Sequence, residues 1–235
     1  MSLDISYKDL VKLEILDSSL KCYDVDGNIS IYSLNGITEL NCSDNQLENL
    51  PILPNGLKLL DCSINYLQTL PTLPETLETL CCDGNQLLAL SDLPSGLKEL
   101  YCYDNQLQIL PTLPNGLEEI HCYDNRLRTL PKLPNGLKTL DCSNNQLQIL
   151  SSLPNGLESL DCSNNPLIFI TPLPKRPDEY EVPENFKFLH SSENYSRYCE
   201  RYQTYRYLIT HLTVQLNLSV GIFSNEAWWF PGIIN

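Results

Sequence analysis

The chain has 235 residues, enough for one sizeable domain, and its hydrophobic content of 42% is ordinary for a globular protein. Its formal net charge of −14 gives a surface that repels phosphate backbones, which argues against nucleic-acid binding and favours a partner with a basic face. No apolar run approaches the roughly 18 residues of a membrane-spanning helix, and MSLDISYKDL does not read as a secretory leader, so we expect a cytoplasmic protein, in its own cell or in a host.

Residues 1–19 are predicted to form an N-terminal helical cap. Ser6 to Asp9 resembles the capping box that begins a helix, and Leu10, Leu13 and Leu16 follow at helical spacing. A stack of repeats exposes its core at each end. We therefore expect a short helix here to cover the first repeat.

Residues 20–174 are predicted to form a repeat array, because one motif recurs every 20 residues. One unit reads N-G-L-x-x-L-x-C-x-x-N-x-L-x-x-L-P-x-L-P, with about seven full copies and one degraded copy around the first cysteine. The cysteines that mark the units are Cys22, Cys42, Cys62, Cys82, Cys102, Cys122, Cys142 and Cys162. The stretch L-x-x-L-x-C-x-x-N-x-L resembles the strand signature of the leucine-rich repeat, with Cys at the third apolar position.

The motif predicts a solenoid with a parallel β-sheet on its concave side. Leu60 and Cys62 are expected to point into the core and Asp61 and Ser63 outward, since side chains alternate along a strand. The L-P-x-L-P stretch disfavours a helix and predicts an extended, polyproline-like convex side. The Asn-Gly pairs are expected to turn the chain into the next strand with a positive φ at glycine.

The repeated cysteine is interpreted as a small inward-facing core residue. Disulfides between neighbouring strands are one alternative, since a spacing of about 4.8 Å is within their range. A metal site is a second alternative, although single thiols in a line do not supply a tetrahedral shell and the repeat has no C-x-x-C spacing. We expect neither, and no metal or cofactor.

The LPxLP units resemble a subtype of leucine-rich repeats found in bacterial effectors that are injected into host cells. Similar cysteine-containing repeats occur in proteins of giant amoeba-infecting DNA viruses. The resemblance is close over 34–174 and weak over 20–33. It implies a binding scaffold. Some of the bacterial proteins carry a separate ubiquitin-ligase domain with a catalytic cysteine.

The outward strand positions predict a binding surface in the middle of the array. Aromatic side chains there occupy two neighbouring strands and two neighbouring columns, ringed by carboxylates, and are expected to grip a basic segment of a partner protein. The predicted partner-binding residues are Tyr101, Tyr103, His121, Tyr123, Asp104, Asp124, Glu99 and Glu119. The alternative is that tyrosine merely favours strands and fills a surface ladder. Cys81 breaks its column and is expected to be exposed.

Residues 175–235 are predicted to form a C-terminal connector, a helix over about 192–216 and an apolar tail. The helix is interpreted either as a cap on the last repeat or as a partner-binding element. The oligomeric state stays open.

The chain as a whole is interpreted as a non-enzymatic interaction scaffold for a protein partner, such as a host protein. One alternative is a ubiquitin-ligase-type effector, for which Cys199 is the candidate thiol, although its surroundings lack that family's Cys-x-Asp motif. A structural or virion component is another alternative.

Overall fold

The computed structural model describes residues 1–16, 18–150 and 153–167, together with the backbone of 169–170. All of them lie in the first of two compact units, Met1–Phe188. The predicted C-terminal connector, helix and tail, with Cys199, lie outside the described residues. Within the described part there is no helix that could cross a lipid bilayer.

The described residues form β-strands joined by turns. The strands, in chain order, are β1 (Ser2–Asp4), β2 (Leu10–Leu16), β3 (Ser19–Asp24), β4 (Ile29–Ser33), β5 (Glu39–Asn41), β6 (Leu59–Asp61), β7 (Thr79–Cys81), β8 (Glu99–Tyr101), β9 (Glu119–His121), β10 (Thr139–Asp141), β11 (Ile149–Leu150), β12 (Ser159–Asp161) and β13 (Phe169–Ile170).

An eight-stranded parallel sheet carries the stack, in the order β1-β5-β6-β7-β8-β9-β10-β12. Between repeats its register is an offset of one unit, so that Leu60 pairs with Leu80, and Leu80 with Leu100. No unit can bury its leucines alone, but neighbours in the stack can. The predicted β-solenoid is confirmed, and the return segments of the described repeats contain no helix.

The repeated cysteines lie in the core, as predicted. Those of the seven full repeats are 0% exposed, and each packs among buried leucines. The nine cysteines in the described part of the chain are all free thiols. Burial raises the pKa of Cys42 and of Cys102 to about 12, so these thiols stay protonated and act as small apolar side chains.

A ladder of buried asparagines joins each repeat to the one before it. The Asn85 Nδ2 donates to the carbonyls of Cys62, Cys82 and Asp83, and its Oδ1 accepts from the Leu67 N–H at 2.9 Å. The same pattern recurs from Asn65 to Asn165. One side chain thus pairs backbone groups that the bend after the strand would otherwise leave unsatisfied.

The N-terminal segment is not helical, and the predicted helical cap is wrong. Leu3, Ile5 and Leu10 take the places of Leu40, Cys42 and Leu47, because β1 pairs with β5 in parallel and Ile5 is buried. The apparent capping box is a strand-end turn, in which the Ser6 N–H and Oγ donate to Asp4 Oδ1. Residues 1–10 are therefore a degenerate first repeat.

A three-stranded antiparallel sheet, β2-β3-β4, is inserted in the chain between β1 and β5, which pair directly with each other in the stack. Cys22 lies in β3 of this sheet, so it does not mark a degraded copy of the parallel repeat, as the 20-residue spacing suggested. Its side chain is buried all the same. Leu10 and Leu13 are spaced as in a helix, but a register shift between Leu10 and Lys12 lets both be buried in a strand, and pairing with β3 determines the structure here.

The left-handed backbone position also differs from expectation. Of the five glycines in Asn-Gly pairs, only Gly36 has a positive φ. The positive φ falls instead two residues after each cysteine, at φ values of 49–52° for Asp44, Ile64, Asp104, Asp124, Asn144 and Asn164 and 60° for Gly84. Asn and Asp tolerate this region, but a β-branched residue such as Ile64 is strained there.

Candidate functional site

The outward side chains of most repeats satisfy one another. In the Cys62 repeat, Asp61 Oδ1 accepts from the Ser63 N–H at 3.1 Å and from the Ser63 Oγ at 2.6 Å. The same turn forms around Cys42, Cys142 and Cys162. At both ends of the sheet, therefore, the outward residues serve the turn that ends each strand.

Three adjacent repeats in the middle lack this turn. The positions of Asp61 and Ser63 are taken by Cys81 and Asp83, then by Tyr101 and Tyr103, then by His121 and Tyr123. The rings form two parallel stacks. Tyr101 and His121 lie 5.1 Å apart between centroids at an interplanar angle of 13°, and Tyr103 and Tyr123 lie 4.3 Å apart at 7°. We call these four residues the aromatic patch.

The predicted site residues occupy this region as follows. Glu99 and Glu119 are neighbours in β8 and β9 and are half-buried beside the patch. Glu119 Oε1 lies 2.8 Å from His121 Nε2, and Glu99 accepts from the Thr79 hydroxyl at 3.3 Å. Asp104 and Asp124 are exposed at the left-handed position beside it. All eight predicted residues thus lie on three neighbouring columns and the adjoining turn of two consecutive repeats.

Asp83 belongs to the same cluster, although the sequence analysis did not select it. It is 6% exposed, burial raises its pKa, and it accepts a hydrogen bond from the Tyr103 hydroxyl. Burial and the neighbouring Glu119 raise the pKa of Tyr101 to about 12, and burial with the Asp83 contact raises that of Tyr103 further. The tyrosine hydroxyls therefore remain protonated donors at neutral pH. The break in the D-x-S column was the signal that could have identified Asp83.

Cys81 is half-buried, and not exposed as its column position suggested. Burial, with Asp61, Asp83 and Glu99 nearby, raises its pKa to about 12. A protonated thiol is a poor nucleophile, so this residue is not an activated cysteine. No group of three or more His, Cys, Asp or Glu side chains suited to a metal ion occurs in the part of the chain described here.

A shallow groove of about 860 Å³ lies elsewhere, between β2 and the first L-P-x-L-P segment. Leu13, Leu16, Ile52 and Leu53 are among the residues that line it. Its Glu14 carboxylate is already bound to Lys12 and to the Tyr23 hydroxyl. The groove is apolar and has none of the stacked rings or clustered charges of the aromatic patch.

Comparisons with known proteins agree with this architecture. A family model described as leucine-rich repeats in two copies matches residues 136–175. YopM from Yersinia enterocolitica superposes with a TM-score of 0.63 at 31% identity, over 77% of this chain and 41% of that one. YopM from Yersinia pestis, described as a leucine-rich effector protein, gives 0.60 at 35% identity, over 65% and 45%.

The leucine-rich-repeat domain of a Shigella effector gives a TM-score of 0.55 at 31% identity, over 71% of this chain and 70% of that domain. The chain spans less than half the length of the two YopM structures. No curated protein matches the sequence.

Proposed function

Because the chain belongs to the leucine-rich-repeat family, we propose that it is a non-enzymatic scaffold that binds a partner protein on the aromatic patch and its surrounding carboxylates. One observation carries the proposal. The outward D-x-S turn recurs at both ends of the sheet and gives way, in adjacent repeats, to stacked rings that the turn does not need. Side chains that the fold does not require are the ones free to serve binding.

The patch has the physical character of a binding hot spot. Tyrosine offers a large, rigid contact area at a low entropy cost, and stacking on a neighbouring ring restricts it further. The four rings are half-buried among carboxylates, on a chain of net charge −14. A basic segment of the partner fits this surface, because opposite charge steers its approach and the rings supply the contact.

The setting of this interaction is part of the proposal. The LPxLP form of the repeats and the likeness to Yersinia and Shigella effectors support an effector-like protein that acts in a cytoplasm, with a host protein as partner. The concave side of the solenoid is the surface proposed to hold it.

The test is affinity purification of the chain from its native cell. Tyr101, Tyr103 and Tyr123 are replaced together by alanine, and a control variant carries alanine at Tyr7 and Tyr66, which are 76% and 50% exposed outside the patch. The partner is expected to be lost from the triple variant and retained by the control, with thermal melting verifying that both fold. A partner retained by all three forms would refute the proposed surface.

A further inference from the structure

The two ring stacks of the aromatic patch are closed at one end and open at the other. Toward the preceding repeat, Asp83 is hydrogen bonded to the Tyr103 hydroxyl, and the neighbour of Tyr101 in its column is Cys81. Toward the following repeat, the next residues in the two columns are Ser143 and Asp141, which carry no ring. The outer face of Tyr123 therefore adjoins a repeat where the stack could continue but does not.

The place beyond Tyr123 suits one flat group. Neighbouring strands are about 4.8 Å apart, and the Tyr103–Tyr123 pair already shows a ring spacing of 4.3 Å along this direction. Ser143 is small and only 5% exposed, so it forms a recessed floor, tied by its N–H and Oγ to Asp141 Oδ1 at 3.1 and 2.8 Å. A planar side chain can lie over this floor against the tyrosine ring.

The charges around this place select a cation. Asp141 uses Oδ1 for both contacts with Ser143, and among the described residues no hydrogen bond is made to its Oδ2. Asp124 is exposed at the adjacent turn. A guanidinium is planar, stacks on aromatic faces and donates several hydrogen bonds in its own plane, whereas a lysine ammonium is a compact point charge.

We infer that the unfilled place between Tyr123, Ser143 and Asp141 receives an arginine side chain of the partner, whose guanidinium continues the tyrosine stack and bonds Asp141. This inference rests on the proposed function and narrows it from a basic segment to an arginine at a defined position.

Two substitutions, each with a control, distinguish binding at this place from attraction to the acidic surface in general. Ser143→Tyr extends the existing tyrosine ladder by one repeat and fills the place, and Ser163→Tyr is its control one repeat further on. Asp141→Asn removes the charge but keeps the turn, because Asn41 already makes the same two contacts with Ser43 through its Oδ1. Asp161→Asn is the matched control, since Asp161 accepts from the Ser163 N–H in the same way.

The probes are dye-labelled octapeptides that alternate glycine with arginine, with lysine or with uncharged citrulline, titrated into the full chain by fluorescence polarisation. The arginine peptide is expected to bind several-fold more tightly than the lysine peptide, because a guanidinium stacks on the ring and bonds the carboxylate in its own plane, and the uncharged citrulline peptide is expected to bind more weakly than either. Ser143→Tyr and Asp141→Asn should abolish this preference, and Ser163→Tyr and Asp161→Asn should keep it. Should Ser143→Tyr fail to fold, Asp141→Asn decides alone.

Equal binding of the arginine and lysine peptides, or an unchanged arginine preference in Ser143→Tyr and Asp141→Asn, would overturn the inference. Failure of the proposed function has a different signature, because the cellular partner would then stay bound to the tyrosine-to-alanine variant. If the partner is lost from the tyrosine-to-alanine variant, while Ser143→Tyr retains both the partner and the arginine peptide, the patch is still the binding surface but the arginine site is refuted.

Discussion

Removing one asparagine of the buried ladder tests what holds the repeats together. Asn105 is 9% exposed. Its Nδ2 donates to the carbonyls of Cys82, Cys102 and Tyr103 at 3.0, 3.3 and 3.1 Å, and its Oδ1 accepts from the Leu87 N–H at 2.9 Å. Asn105→Ala deletes all four contacts without touching the leucine core.

The cost follows from which partners are left alone. Each of the three carbonyls keeps a second donor: Asn85 Nδ2 for Cys82, Asn125 Nδ2 for Cys102, and the Gly84 N–H for Tyr103. Only the Leu87 N–H loses its acceptor. An unsatisfied buried donor costs about 1–3 kcal/mol, and the weakened carbonyls add roughly 1 kcal/mol, so Asn105→Ala is expected to cost about 2–4 kcal/mol.

Two measurements check this value. Urea unfolding gives the loss of stability, and hydrogen exchange of the Leu87 amide, which should accelerate, gives its location. Asn115→Ala, in an exposed turn, is the control and should change the stability by less than about 0.5 kcal/mol. A cost for Asn105→Ala equal to that of Asn115→Ala, with unchanged exchange at Leu87, would refute the role given to the ladder.

Three further outcomes are expected. Ile64→Asn should stabilise the chain by up to about 1 kcal/mol, because the relief of left-handed strain outweighs the lost contacts of a half-exposed side chain. The reverse change at the equivalent position, Asn144→Ile, should destabilise the chain. Urea unfolding measures both, and opposite signs would contradict this reasoning. Native-state thiol titration at pH 8 should give the same count for Cys81→Ser as for the wild type, because the Cys81 pKa is about 12; a lower count would show a reactive thiol. Hydrogen bonds from two lysines lower the pKa of Glu78 to about 2, so the stabilising effect of this carboxylate should be complete above about pH 4.5 and fade as the pH falls toward 2. Comparing Glu78→Gln with the wild type at pH 7 and pH 3 measures it, and a difference that does not shrink at pH 3 would contradict it.

The repeat itself was predictable because the same pattern occurs in many copies. The alternation of Leu60, Asp61 and Cys62 along a strand determines which side chains face the core. Asn65 recurs at the same place in each full repeat, and the structure shows its amide bonded to the backbone at the bend after the strand. Recurrence at a fixed interval removed the ambiguity between strand and helix that a single short apolar run always has.

The N-terminal segment was predicted wrongly because no further copies of its pattern were there to identify it. Its repeat occurs once, with Ile5 at the cysteine position and Lys8 at the asparagine position. The missing asparagine has no effect at the end of the stack, because Asn45 supplies the bonds to Ile5, Lys8 and Leu10 from the other side. Long-range pairing, which no local pattern contains, therefore decides the structure here.

The aromatic patch was predicted from columns of residues, but its internal contacts were not. The sequence placed Tyr103 and Tyr123 in one column without giving the ring angle, the bond from Tyr103 to Asp83 or the burial of Asp83. It also gave no reason to expect that Asp61 and Ser63 are bound to each other. That self-pairing, visible only in the structure, is what separates the residues the turn requires from those available for binding.

A column of alternating charges favours the correct register between nearly identical repeats. The residue four before each cysteine alternates in charge along the stack, through Lys58, Glu78, Lys98, Glu118, Lys138 and Glu158. Glu78 bridges both of its neighbours, at 2.8 Å to Lys58 and 2.5 Å to Lys98, and Glu118 bonds Lys138 at 2.5 Å. A slip of one repeat would set like charges side by side.

This alternation predicts opposite responses to salt in two forms of the chain. Glu78→Lys places three lysines in consecutive repeats, so added salt should stabilise this variant by screening their repulsion. The same salt should weaken the attraction in the wild type. Urea unfolding at 0.05 and 0.5 M NaCl measures both. Parallel responses of the two forms would mean that these exposed pairs are too weakly coupled to help specify the register, as isolated surface pairs often are.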